Sequence, residues 1–269
     1  MNCNIILHQG YGDLFNSIGL INYYSFKYDK LYIYLLDKSR LKLYNYIFKN
    51  NDKIVTIIPI FKNYDQVTHP QTCFNCMTSG QNGNNCRNRV SCKYIDYNFD
   101  GDIIKIGAFN EPIKWERFRK TQISFAHAFY TYTNIPTNIR FDYFALFNDK
   151  DTEFVIYEKF IKKYGTNYIL IHEDVNRYGN IINKNKIINK ALPIINLDRI
   201  SDNFVDYIKV IKNANEIHLI DSSWSVFIYL LSNKEINNIP IFLNESYFIN
   251  KGRDTNIYKN PTFPNWTFY

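Results

Sequence analysis

Asn4-Ile5-Ile6-Leu7-His8-Gln9-Gly10-Tyr11-Gly12-Asp13 opens on an apolar run, breaks at two glycines within three residues, and leads into a helical pattern. Residues 4–8 read as a buried strand and 9–13 as a turn. Residues 14–26 carry Leu14, Ile18, Ile21 and Tyr24 at helical spacing. Outward from there, 30–36 is a predicted strand, 39–48 a helix opened by a serine cap, and 53–60 a strand. A strand–helix–strand–helix–strand order predicts a parallel sheet with helices on its faces.

Residues 61–100 interrupt the alternation. They hold four of the five cysteines and the stretch Ser79-Gly80-Gln81-Asn82-Gly83-Asn84-Asn85, and read as a Cys-rich insert in the first half. Beyond it, 102–106 is a predicted strand. An aromatic-rich helix over 116–132 ends at Asn134-Ile135-Pro136, and a helix spans 151–163 with Gly165 just past its end. The second half repeats the pattern: strands at 168–172, 194–197, 216–220 and 239–243, helices at 204–212 and 223–231. The expected organisation is two αβ halves of similar size, an N-terminal domain over 1–165 and a C-terminal domain over 166–269.

With 269 residues, 46% of them hydrophobic, the chain can bury a substantial core. Scarce glycine and proline exclude collagen-like and linker classes. No apolar run approaches the 18 residues of a membrane span, and the opening residues read as a first strand and not a signal peptide. A cytoplasmic protein is expected. The abundance of Asn, Ile, Lys and Tyr matches AT-rich coding, which raises the aromatic share to 17% without a functional cause. The net charge of +7 favours anionic partners. The basic residues are scattered, which argues against a nucleic-acid footprint.

Four clusters carry candidate chemistry. Gly10 and Gly12 let the backbone approach a ligand closely at the end of the first strand, where open α/β sheets bind ligands. Asp13 beside a helix start stays ionised easily and suits accepting a proton from a hydroxyl. The plain structural alternative is a tight turn with Asp13 as a helix cap. In Ile217-His218-Leu219-Ile220-Asp221-Ser222-Ser223, an apolar strand runs into a helix start rich in hydroxyls, a natural diphosphate cradle or an ordinary cap. Ile169-Leu170-Ile171-His172-Glu173-Asp174-Val175-Asn176-Arg177 again ends a strand in polar residues. His172 could contact a donor and Arg177 a phosphate, or the stretch is a solvated loop. Lastly, Cys73, Cys76, Cys86 and Cys92 open with a C-x2-C pair and allow a structural zinc knuckle. Free thiols and disulfides are the alternatives, disulfides being disfavoured in a reducing compartment.

The Gly10-Tyr11-Gly12-Asp13 turn resembles that of GT-B glycosyltransferases, above all the heptosyltransferase-like group. The Asp221-Ser222-Ser223 turn resembles the phosphate turn of their second domain. Residues 125–130, Ile135-Pro136, Arg140, Phe144 and 169–177 are similar to glycosyltransferases of bacteria and large viruses. The resemblance implies two Rossmann-like αβα halves facing a cleft. It implies Asp13 as catalytic base of an inverting transfer, with the second half binding a nucleotide-diphosphate sugar through His172, Arg177, Asp221, Ser222 and Ser223. The acceptor would be a glycan, glycolipid or glycoprotein, and no catalytic metal is expected. Ser223 stands where glycine is frequent in the family, and the cysteine insert is not a family feature. The rival readings are a non-catalytic protein on the same fold and a basic zinc-knuckle protein that associates with nucleic acid.

Overall fold

Five of the six side chains of Asn2–Leu7 (β1) are buried. A strand buried on both faces belongs inside a parallel sheet, with a strand on each side and cover above and below. In the computed structural model, β1 pairs in parallel with Lys30–Tyr34 (β2) on one side and Asp102–Ile106 (β4) on the other. Ile54–Ile57 (β3) extends the sheet beyond β2, giving the order β3-β2-β1-β4. The described residues are 1–7, 11–35, 40–57, 100–106, 125–174, 181–197, 203–233, 235–245 and 263–269.

Buried Asn4 sets the register of β4. Its Nδ2 donates to the carbonyls of Asp100 at 2.9 Å and Asp102 at 3.3 Å, and its Oδ1 accepts from the Tyr34 hydroxyl at 3.1 Å. Gly101 lies between those carbonyls at φ 94°, and a Cβ there would stand 2.2 Å from the Asn2 carbonyl oxygen. Only glycine fits that approach.

Tyr11–Ser25 (α1) follows β1 and buries Leu14, Phe15, Ile18, Leu20 and Ile21. Leu41–Ile47 (α2) lies between β2 and β3. Its N-cap is Arg40, without a side-chain cap bond; Ser39, the expected cap, lies outside the described residues. Phe125–Tyr132 (α3) and Ile139–Asp142 (α4) both pack on α1.

In the second sheet, Ile169–His172 (β5) pairs with Ile194–Asn196 (β6) and with Glu216–Ile220 (β7). Ile241–Asn244 (β8) and Trp266–Phe268 (β9) complete the order β6-β5-β7-β8-β9, all parallel. One face carries Ile208–Lys212 (α6), Ser223–Ser232 (α7) and, before β5, Lys150–Tyr164 (α5). On that side Phe160 meets Tyr168 at 4.8 Å, and Trp266 donates its indole N–H to the Ser232 hydroxyl at 2.9 Å. Asp149 caps α5 by accepting from the Asp151 and Thr152 amides.

The opposite face departs from the expected helix-on-both-faces layering among the described residues. Ile169, Ile171 and Ile220 are covered there by Ile182 and Ile187, with Leu192 packed against them. These belong to an irregular segment whose only helical part is a 3-10 turn, Lys184–Lys186. The predicted helix over 204–212 is likewise a 3-10 turn, Phe204–Tyr207, running into α6.

The protein is thus mixed α/β with two parallel sheets. The chain divides into two compact units, the first ending at Ala145 and the second running from Leu146 to Tyr269. Helix α5 falls in the second unit, joined to α6 and the 204–207 turn by packing, whereas sequence reading placed it before the boundary at 165. The insert over 61–100 lies outside the described residues except for Asp100. No helix among the described residues is long and apolar enough to cross a membrane.

Candidate functional site

Among the described residues each sheet contains one place where strand order reverses, and an open parallel sheet binds ligands at the carboxyl ends of the strands there. In the first sheet that place lies between β1 and β4, where Leu7 pairs with Ile106. In the second it lies between β5 and β7, where His172 pairs with Leu219.

At the first reversal, Gly12 and Asp13 are the second and third residues of α1, half-buried, and not part of a preceding turn. A carboxylate in the first turn is favoured by the helix dipole. Gly10 lies outside the described residues. Sequence reading missed what surrounds Asp13. Buried Tyr44 of α2 lies within electrostatic reach of both Asp13 and Arg40. Burial raises its phenol far above the usual range and the Asp13 charge adds to this, while the Ser17 hydroxyl and Arg40 oppose. The Arg40 guanidinium sits 5.1 Å from the centre of the Tyr11 ring, a cation–π contact. Arg40 is the N-cap of α2, the helix that follows β2 in the chain, so a second helix start also delivers charge here. Its position in the first turn of the predicted helix over 39–48 was the available signal.

At the second reversal, two of the predicted clusters come together. His172 ends β5, and Asp221 and Ser222 follow β7, its hydrogen-bonded neighbour. His172, Asp221, Ser222 and Ser223 are all half-buried. Ser222 caps α7 through a reciprocal box. Its Oγ accepts from the Ser225 amide at 3.4 Å, and the Ser225 Oγ accepts from the Ser222 amide at 2.9 Å. Cap formation uses a lone pair of Ser222 and leaves the hydroxyl's own proton to donate. The amides of Ser223 and Trp224, in the first turn of α7, have no intrahelical acceptor by helix geometry.

Trp224 anchors this helix start. It is buried, packs on Phe204 at 4.3 Å and Tyr207 at 5.4 Å, and lies 6.5 Å from the His172 ring. The floor beneath the second reversal is therefore aromatic and the rim polar. Arg177 lies outside the described residues, as do Cys73, Cys76, Cys86 and Cys92. Among the described residues no group of three His, Cys, Asp or Glu side chains could hold a metal. Cys3 is a buried thiol in β1, pushed up to about 12 by burial and by the charge of Asp102.

The class defined by these observations is a parallel α/β protein with polar helix starts at two strand-order reversals. No protein family matches the chain, and no curated protein aligns with it.

Proposed function

We propose that the protein is a glycosyltransferase of the GT-B type, moving a sugar from a nucleotide-diphosphate donor to an acceptor hydroxyl. The observation that carries this reading is the second strand-order reversal. It gathers His172, Asp221, Ser222 and Ser223 onto neighbouring strand ends, although 49 residues separate His172 from Asp221 in sequence (221 − 172). A diphosphate suits that place, because amides of a helix start and hydroxyl donors stabilise a charged leaving group without a metal. Asp13, in the first turn of α1, is the proposed base for the acceptor hydroxyl, giving inversion in a single displacement. Arg40 joins it as a cation near the same turn.

A thermal-shift panel with UDP, GDP, ADP, CDP and dTDP and their sugars tests the donor half. A ligand at a hundred times its Kd stabilises the fold by about 2.7 kcal/mol, a visible rise in Tm. One nucleotide class is expected to shift the midpoint, and S223A to weaken that shift. Asp13→Asn is then expected to abolish transfer while leaving the nucleotide shift intact. A shift with no nucleotide removes the reading, and unchanged turnover in Asp13→Asn removes the base.

A further inference from the structure

The second sheet carries a buried pair that the proposed transfer chemistry does not use. Glu216 and His218 stand two residues apart on β7 and therefore share a face. Both are buried, His218 with none of its surface exposed. His218 Nε2 bonds the Glu216 carboxylate. The imidazole lies flat on Phe242 of β8, with ring centres 4.6 Å apart and planes at 8°. Nδ1 is buried and has no hydrogen-bond partner. The same carboxylate also holds the irregular segment that covers this face: the Ile188 amide donates to its two oxygens at 3.0 and 3.2 Å.

We propose that Glu216 and His218 form a proton-operated latch that fastens residues 181–192 onto the second sheet and releases them in acid. The neutral imidazole donates Nε2–H to the carboxylate and leaves Nδ1 bare. An added proton must go to Nδ1, which faces no acceptor in the closed form. Burial accordingly holds His218 below the usual histidine range, with the Glu216 hydrogen bond and charge pulling the other way. Lifting the segment admits water, and the imidazole returns toward its ordinary value of about 6.5. The open form then binds the proton more readily. Closure is fully favoured above about pH 6.5, and below it opening gains up to about tenfold per pH unit until the lowered value of the closed form is reached.

The neighbouring elements leave Glu216 as the charged side chain bonded to this imidazole among the described residues. At the facing register positions β5 presents Ile169 and Ile171, and β8 presents Phe242 and Asn244. The covering segment carries Lys184, Lys186 and Lys190, of which Lys186 reaches over the Tyr269 ring at 5.9 Å. The far end of the segment is tied at the carboxyl edge of the sheet. There Glu173 accepts from the Ile182 amide at 3.0 Å, the Tyr269 hydroxyl from the Asn183 amide at 3.2 Å, and Asn244 donates to the Ile181 carbonyl at 2.8 Å. Burial raises the Tyr269 phenol, so it stays protonated throughout this range. Glu173 directly follows His172. Release of the latch would therefore slacken the rim of the second reversal, whichever ligand binds there.

Amide hydrogen exchange on the full chain between pH 7.5 and 5.0, corrected for intrinsic rates, tests the latch. Protection at Ile188 is expected to fall by up to tenfold per pH unit below 6.5, with Ile182 following, while amides of α7 hold. H218Q keeps an N–H donor for Glu216 and cannot titrate, so its profile is expected to be flat. H218M, which fills the stack on Phe242, serves as a second non-titrating variant with the same expectation. A flat wild-type profile, an equal slope in either variant, or parallel loss of protection in α7 would overturn the proposal.

Discussion

Helices α1 and α7 follow strands at which the order of their own sheet turns, yet they are fastened by opposite means. Polar groups on α1 are met by distant residues. The buried Asn16 side chain accepts from fully buried Arg140, and its carbonyl accepts from the Tyr130 hydroxyl at 2.7 Å. Gly19 lets α4 lie directly against α1, since a Cβ there would stand 2.6 Å from the Ile139 carbonyl and 2.7 Å from that of Arg140. Helix α7 meets its needs locally, with Ser222 and Ser225 closing its start three residues apart. Polar satisfaction from afar makes a helix depend on the whole unit, whereas a local cap belongs to the helix alone.

The largest expected difference between the units comes with alkali. Cys3, Tyr44 and Tyr130 of the first unit and Tyr168 and Tyr269 of the second have their ionisation raised by burial, and residues 146–269 contain no cysteine to match Cys3. Each folded-state value lies above the unfolded one. The stability these groups contribute is thus intact below about pH 8.5 for the thiol and about 10 for the phenols, and is lost above. Each costs roughly tenfold in the folding constant per pH unit past that point. Between about pH 8.5 and 10, where the thiol and not the phenols costs stability, region-resolved hydrogen exchange is expected to show the first unit losing protection before the second. Simultaneous opening would erase the distinction.

Gly19→Ala ranks next. The added methyl meets backbone and not a movable side chain, so a loss of about 1–3 kcal/mol is expected by chemical denaturation. A neutral result would mean that α1 and α4 are not in close contact. Tyr130→Phe leaves the Asn16 carbonyl without its long-range donor and is expected to cost about 1–2 kcal/mol. Ser222→Ala removes only the local cap of α7, at about 1 kcal/mol, and Ser222→Gly a few tenths. Should Ser222→Ala prove more costly than Tyr130→Phe, local capping would outweigh the distant network and the contrast would be reversed.

The contrast also explains which parts were legible. Strand 102–106 and the helix start at Ser223 were read closely because alternation of apolar runs with caps is a local signal. Three elements went unread, the 3-10 turn Lys184–Lys186 among them. The short α4 has no apolar period of its own, and β9 is a three-residue edge strand defined by its pairing with β8. The helical register of Gly12 and Asp13 was also missed, since glycine argues for a turn unless neighbouring turns of helix hold it. Arg40 escaped notice because nothing nearby in sequence ties it to Asp13.

By itself, the sequence determined the parallel α/β alternation, the polar strand ends and the capped start of α7, all of which rest on contacts within a few residues. Tertiary structure alone decided that His172 and Asp221 stand at the ends of neighbouring strands, that Arg140 is buried against Asn16, and that Glu216 and His218 share one buried face with the segment they hold. Those juxtapositions depend on strand order and on residues far apart in the chain, and no local pattern of side chains encodes which strands will be neighbours.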